Sequence, residues 1–133
     1  MERKNRKKII VINLFLFALL FGLVSLNKEF IRPLFCQISF LKILTGCFPN
    51  FIAAYIISIY FVNAVVIREP KHSRFIVYIG SFLVFVILTV EELKPMWGAS
   101  TYYDSFDILA SGVGALLSIL TFELIVWKKK SKI

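Results

Sequence analysis

Four long apolar runs separated by short polar links leave this chain few ways to fold. They cover approximately residues 9–26, 48–67, 75–93 and 107–127. A segment that crosses lipid must satisfy its backbone internally, which restricts it to a helix or a strand of a closed barrel. A spanning helix needs about 20 mostly apolar residues, a spanning strand about half that. The runs match the helix. The pattern therefore predicts an all-α membrane protein, a four-helix bundle formed as one domain over residues 1–133. Composition agrees. The chain is 59% hydrophobic with a mean hydropathy of +0.80, against roughly 45–50% apolar residues in a soluble domain.

The first run follows the basic start MERKNRKK, the outline of a secretory signal. It is longer than the roughly 7–15 apolar residues of such a signal. Gly22-Leu23-Val24-Ser25 is also a poor cleavage site, so the run is read as a retained span. The stretch 35–47 is too short and too polar to cross. It is expected to form an interfacial helix or a re-entrant turn ahead of the second span. Pro49 suits the first turn of that span, where its missing N–H would be unpaired anyway.

Charge sets the expected orientation. The formal net charge is +8, which in a soluble domain would point to nucleic acid. Here the basic residues flank apolar runs, so no nucleic-acid partner is expected. One side holds Arg3, Lys4, Arg6, Lys7 and Lys8, then Arg68, Lys71 and Arg74, then Lys128, Lys129, Lys130 and Lys132. Those are twelve basic residues, against Lys28, Arg32, Lys42 and Lys94 on the other side. The positive-inside rule then places both termini in the cytoplasm and supports an even number of spans. Trp97 and Trp127 are expected as interfacial anchors.

That orientation gathers the unusual polar residues at the outer ends of spans two, three and four: Asn50, Glu91, Glu92, Tyr102, Tyr103, Asp104 and Asp107. A carboxylate at membrane depth is costly unless it faces a polar interior or a partner. Glu91 and Glu92 stand about 100° apart on a helix, so one of them is expected to point into the bundle. Along span four, Asp107, Ser111, Gly114, Ser118 and Thr121 share a face. Small residues there allow close helix approach, and hydroxyls can bond across it. Asp107 or Ser105 is expected to cap that helix, its oxygen accepting from an orphan N–H. Asn63 and Ser58 are read as interhelical hydrogen bonders, and Glu123 as snorkelling to the inner surface. The bland alternative is a set of caps, interfacial carboxylates and packing residues with no ligand.

Signals of established chemistry are missing. There is no phosphate loop, GxSxG or HExxH. The one histidine, His72, has basic neighbours, and no carboxylate spacing fits a known metal loop. No cofactor, metal or catalytic residue is expected. Cys36 and Cys47 could form a disulfide on the outer side or remain free thiols.

The stretch EELKPMWGASTYYDSFDILASGVGALLS resembles the C-terminal part of VanZ-like membrane proteins. That family has a Glu ending one span, a polar loop, then Asp-Ile-Leu with a Gly beyond. Glu92, Asp107, Ile108, Leu109 and Gly114 carry the match. GCFPNF is similar to a Gly-x-x-Pro-Asn-Phe stretch in some small bacterial relatives. Together these pieces cover about a third of the chain. Pro95, Thr101 and Ser111 stand where many members have Gln, Arg and Asn. The family takes its name from a link to resistance against the glycopeptide teicoplanin. The resemblance implies a multi-pass protein of the bacterial cytoplasmic membrane that binds or shields a cell-envelope lipid or glycopeptide. On that reading Asn50, Glu91, Glu92, Tyr103, Asp104, Asp107 and Ser111 would line an extracytoplasmic pocket. Two other readings stand beside it: a structural or accessory subunit without a ligand, and a membrane enzyme or carrier for a lipid-linked headgroup with a carboxylate as general base.

Overall fold

A computed structural model describes residues 2–94 and 104–132. Helix α1 (Glu2–Leu26) continues through a π-helical turn (Asn27–Ile31) into the short α2 (Arg32–Leu34). Then come α3 (Ser39–Arg68), α4 (Ser73–Leu93) and α5 (Ser105–Ser131). The segments Glu2–Leu34, Ser39–Arg68, Ser73–Leu93 and Ser105–Ser131 are each long and apolar enough to cross a membrane.

The boundaries follow from local chemistry. Helix α3 ends at Arg68, where Glu69 turns into the left-handed region at φ 50°. The Glu69 N–H still reaches the Val65 carbonyl at 2.8 Å, and Pro70 cannot extend the helix. Helix α5 starts after Asp104, whose extended backbone and side-chain oxygen form the N-cap. It ends in Lys128, Lys129 and Lys130, cations suited to the negative end of the helix dipole.

The expectation for residues 35–47 is corrected here. Residues 39–47 are not a separate interfacial or re-entrant element but the first turns of α3. Pro49 therefore lies inside the helix rather than in its first turn. A proline there cannot donate to the carbonyl four residues back, that of Thr45. Asn27 supplies the missing donor: its buried Nδ2 reaches the Thr45 oxygen at 2.8 Å. Arg32 adds a second side-chain donor, from Nη2 to the Gly46 carbonyl at 3.2 Å. Side chains from the preceding turn thus meet carbonyls beside the proline, and the helix runs through it.

Helices α3 and α5 run parallel and share the longest contact; α4 runs antiparallel against both. Two kinds of packing hold them. Near the chain termini Val62, Val65, Val77 and Phe122 form a buried cluster, with Ile59, Ile119 and Val126 against it. Farther along, contact is made through small residues. The face of α5 read as small is the buried one: Ser111, Gly114, Ala115 and Ser118. A Cβ on Gly114 would sit 2.4 Å from the Phe51 carbonyl oxygen, so only glycine permits that approach. Gly80 likewise lies under the Phe61 ring.

Polar side chains tie the helices together. Ser81 and Ser118 share a buried hydrogen bond at 3.0 Å, and Tyr55 meets Thr121 at 3.2 Å. Glu123, read as reaching toward the inner surface, meets two groups of α4. It accepts from Tyr78 at 2.7 Å and pairs with Arg74 at 3.2 Å, which binds α5 to α4. Glu69 pairs with Lys129. Among the long helices α1 packs on α3 alone, where Asn63 donates to Asn13 at 3.4 Å. Most of its apolar side chains are exposed, including Ile10, Val11, Leu14, Phe15 and Phe21.

Candidate functional site

The bundle has two unlike ends. One holds the start of α1, the α3–α4 link and the end of α5, and with them most of the basic residues. The other, the far end, holds the π-turn, α2, the starts of α3 and α5 and the end of α4. Most of the candidate residues meet at the far end.

Asp107 lies in the first turn of α5 and is half-buried. Its Oδ1 is fully enclosed and has no hydrogen-bond partner among the described residues. The Asn50 amide stands beside this carboxylate from α3, and Glu92, Asp104 and Arg32 are the charged groups around it. The site thus draws on α2, α3, α4 and the start of α5. It combines three carboxylates, one guanidinium and one amide. Such a set can bind a cation through the carboxylates, an anion through Arg32, or a zwitterion through both.

The carboxylates are not equivalent. Asp104 is exposed, and its Oδ1 accepts from the Phe106 N–H at 2.9 Å. Asp104 is therefore the helix cap, not Asp107 or Ser105, because its extended backbone aims the side chain at the next turn. Glu92 crosses from α4, and its Oε1 accepts from the Asp104 N–H at 3.0 Å. Of the adjacent glutamates, Glu92 is the one that faces α5. Glu91 is half-buried and makes no ion pair among the described residues. Ser111 is buried, and its hydroxyl donates to the Asp107 carbonyl at 2.9 Å, so it is engaged within its own helix. Tyr103 lies outside the described residues, as do Tyr102, Thr101, Trp97 and Pro95.

Two residues here escaped the sequence reading. Arg32 entered only as a charge to be counted, and Asn27 not at all. Nothing local marks either one, since each acts on a carbonyl 14 or 18 residues away. A proline with no replacement donor nearby was the available signal for Asn27.

Among the described residues, no group of three or more His, Cys, Asp or Glu side chains is placed to hold a metal ion. Cys36 is exposed and Cys47 half-buried, and both are free thiols. No protein-family model matches the chain, and no curated protein or solved structure gives a significant match.

Proposed function

We propose that this is a four-span protein of the bacterial cytoplasmic membrane, VanZ-like in kind, whose far-end pocket binds the polar headgroup of a cell-envelope lipid or glycopeptide. Both termini lie in the cytoplasm on this reading, since twelve basic residues flank one end and four the other. The far end then faces outward.

One observation carries the binding role. The Asp107 carboxylate is held at the lip of the bundle beside the Asn50 amide, with one oxygen enclosed and without a partner among the described residues, amid groups drawn from four elements. Glue would not need that arrangement. A buried carboxylate oxygen without a donor is costly, and a ligand amine or hydroxyl that entered between the helices would satisfy it. Arg32 gives the same ligand a contact for a phosphate or carboxylate.

A second reading is favoured by a different observation. Glu92 and Asp104 are occupied in fixing the start of α5, as expected of a purely structural subunit. The two readings part at Asp107. Wild type, Asp107→Asn and Glu92→Ala are expressed in a glycopeptide-sensitive host, and glycopeptide susceptibility is measured beside folded membrane yield. Binding predicts that wild type raises resistance, that Asp107→Asn loses it at normal yield, and that Glu92→Ala loses yield. If wild type confers nothing and both variants only lose yield, the structural reading replaces the first.

A further inference from the structure

We propose that the opposite end carries a separate lipid site, in which Arg3, Arg6 and Arg68 hold the phosphate of an anionic phospholipid. The proposal rests on the reading that the helices cross a membrane with this end inside, and it does not involve the far-end pocket. An open cleft of about 750 Å³ lies between the start of α1 and the end of α3, lined by Glu2, Arg3, Asn5, Arg6 and Arg68. Arg3 and Arg6 are three residues apart and share a face of α1. Three guanidinium groups thus meet one carboxylate.

The ion pairs among the described residues are Arg74–Glu123 and Lys129–Glu69. The three arginines, all exposed, keep their donors for a ligand. A guanidinium fork matches a phosphate bidentately, which a lysine does not.

The surroundings select a lipid phosphate over a free one. The cleft sits where the exposed apolar surface of α1 begins, at Ile10 and Val11. Farther along, α1 and α3 line an apolar groove of about 310 Å³ with Leu16, Leu19, Ile59 and, from α5, Ile125. The rise from Arg6 to Leu16 is about 15 Å, roughly half the ~30 Å hydrocarbon core. An acyl chain descending from a phosphate in the cleft therefore reaches the groove. Basic pockets between spans on the cytoplasmic side are suited to anionic headgroups.

The test is lipid retention by the purified full-length protein, measured by native mass spectrometry during titration with phosphatidylglycerol, phosphatidylcholine or inorganic phosphate. Wild type is expected to retain phosphatidylglycerol in preference to phosphatidylcholine. The triple variant Arg3→Gln, Arg6→Gln, Arg68→Gln should lose that preference by on the order of ten- to a hundredfold. A control, Lys128→Gln, Lys129→Gln, Lys130→Gln, removes equal charge outside the cleft and should change it less than threefold or so. Glycopeptide susceptibility should be unchanged in the arginine triple, which separates this site from the far-end one. If the arginine triple folds poorly, Arg3→Gln, Arg6→Gln in the first turns of α1 carries the same test. Equal loss in the lysine control, equal retention of phosphatidylcholine, or displacement of the lipid by inorganic phosphate at matched concentration would each overturn the proposal.

Discussion

At the scale of single residues, Asn27 and Pro49 form a pair whose energetics can be separated. Asn27→Leu removes the donor to the Thr45 carbonyl and should cost about 1–3 kcal/mol, the penalty for a buried unsatisfied carbonyl. In a Pro49→Ala background the residue 49 N–H is restored and can reach the same oxygen, so most of that cost should vanish. Thermal unfolding of the four variants measures the coupling. Equal costs in both backgrounds would mean that Asn27 acts through packing instead. Gly114 offers a second test. Gly114→Ala drives a Cβ into the Phe51 carbonyl and should cost about 1–3 kcal/mol as α3 and α5 separate. Gly112→Ala meets only the Phe85 ring edge at 3.3 Å and should be tolerated far better in the same melt.

At the scale of elements, the helices are not equally held. Helices α3, α4 and α5 contact one another, whereas α1 leans on α3 alone. Amide hydrogen exchange in detergent should therefore release the middle of α1 before the middles of α3 and α5. Asn13→Leu, which removes the partner of Asn63, should widen the difference. The Ser81–Ser118 bond joins α4 to α5, and a double-mutant cycle to alanine should give a coupling of about 0.6 kcal/mol, typical between membrane helices.

The four apolar runs and the small face of α5 were legible because length, hydropathy and helical spacing are local properties. Residues 39–47 were misread for a physical reason. Pro49 reads as a helix start because inside a helix it leaves the carbonyl four residues back without its donor, and the donor that fills that gap arrives from another element. The site divided the same way. Asp107, Asn50 and Glu92 stood out as polar residues at the ends of apolar runs. Which carboxylate capped α5, and that Arg32 joined the group, depended on the α1–α2 turn and on the approach of α4 to α5.

At the scale of the whole molecule, the two ends have different chemistry: a basic end beside the termini, and a mixed polar cluster around Asp107. Function as proposed depends on which side of the membrane each end faces. The native thiols allow a direct measurement. With Cys47→Ser, the exposed Cys36 is the remaining cysteine of two and lies at the far end. In a chain with both native cysteines replaced, Ser131→Cys reports the other end. A membrane-impermeant maleimide applied to intact bacteria should label Cys36 at once, and the residue 131 thiol only after the membrane is opened. Labelling of the residue 131 thiol in intact cells, with Cys36 protected, would contradict an outward-facing pocket and the surface ligand proposed for it.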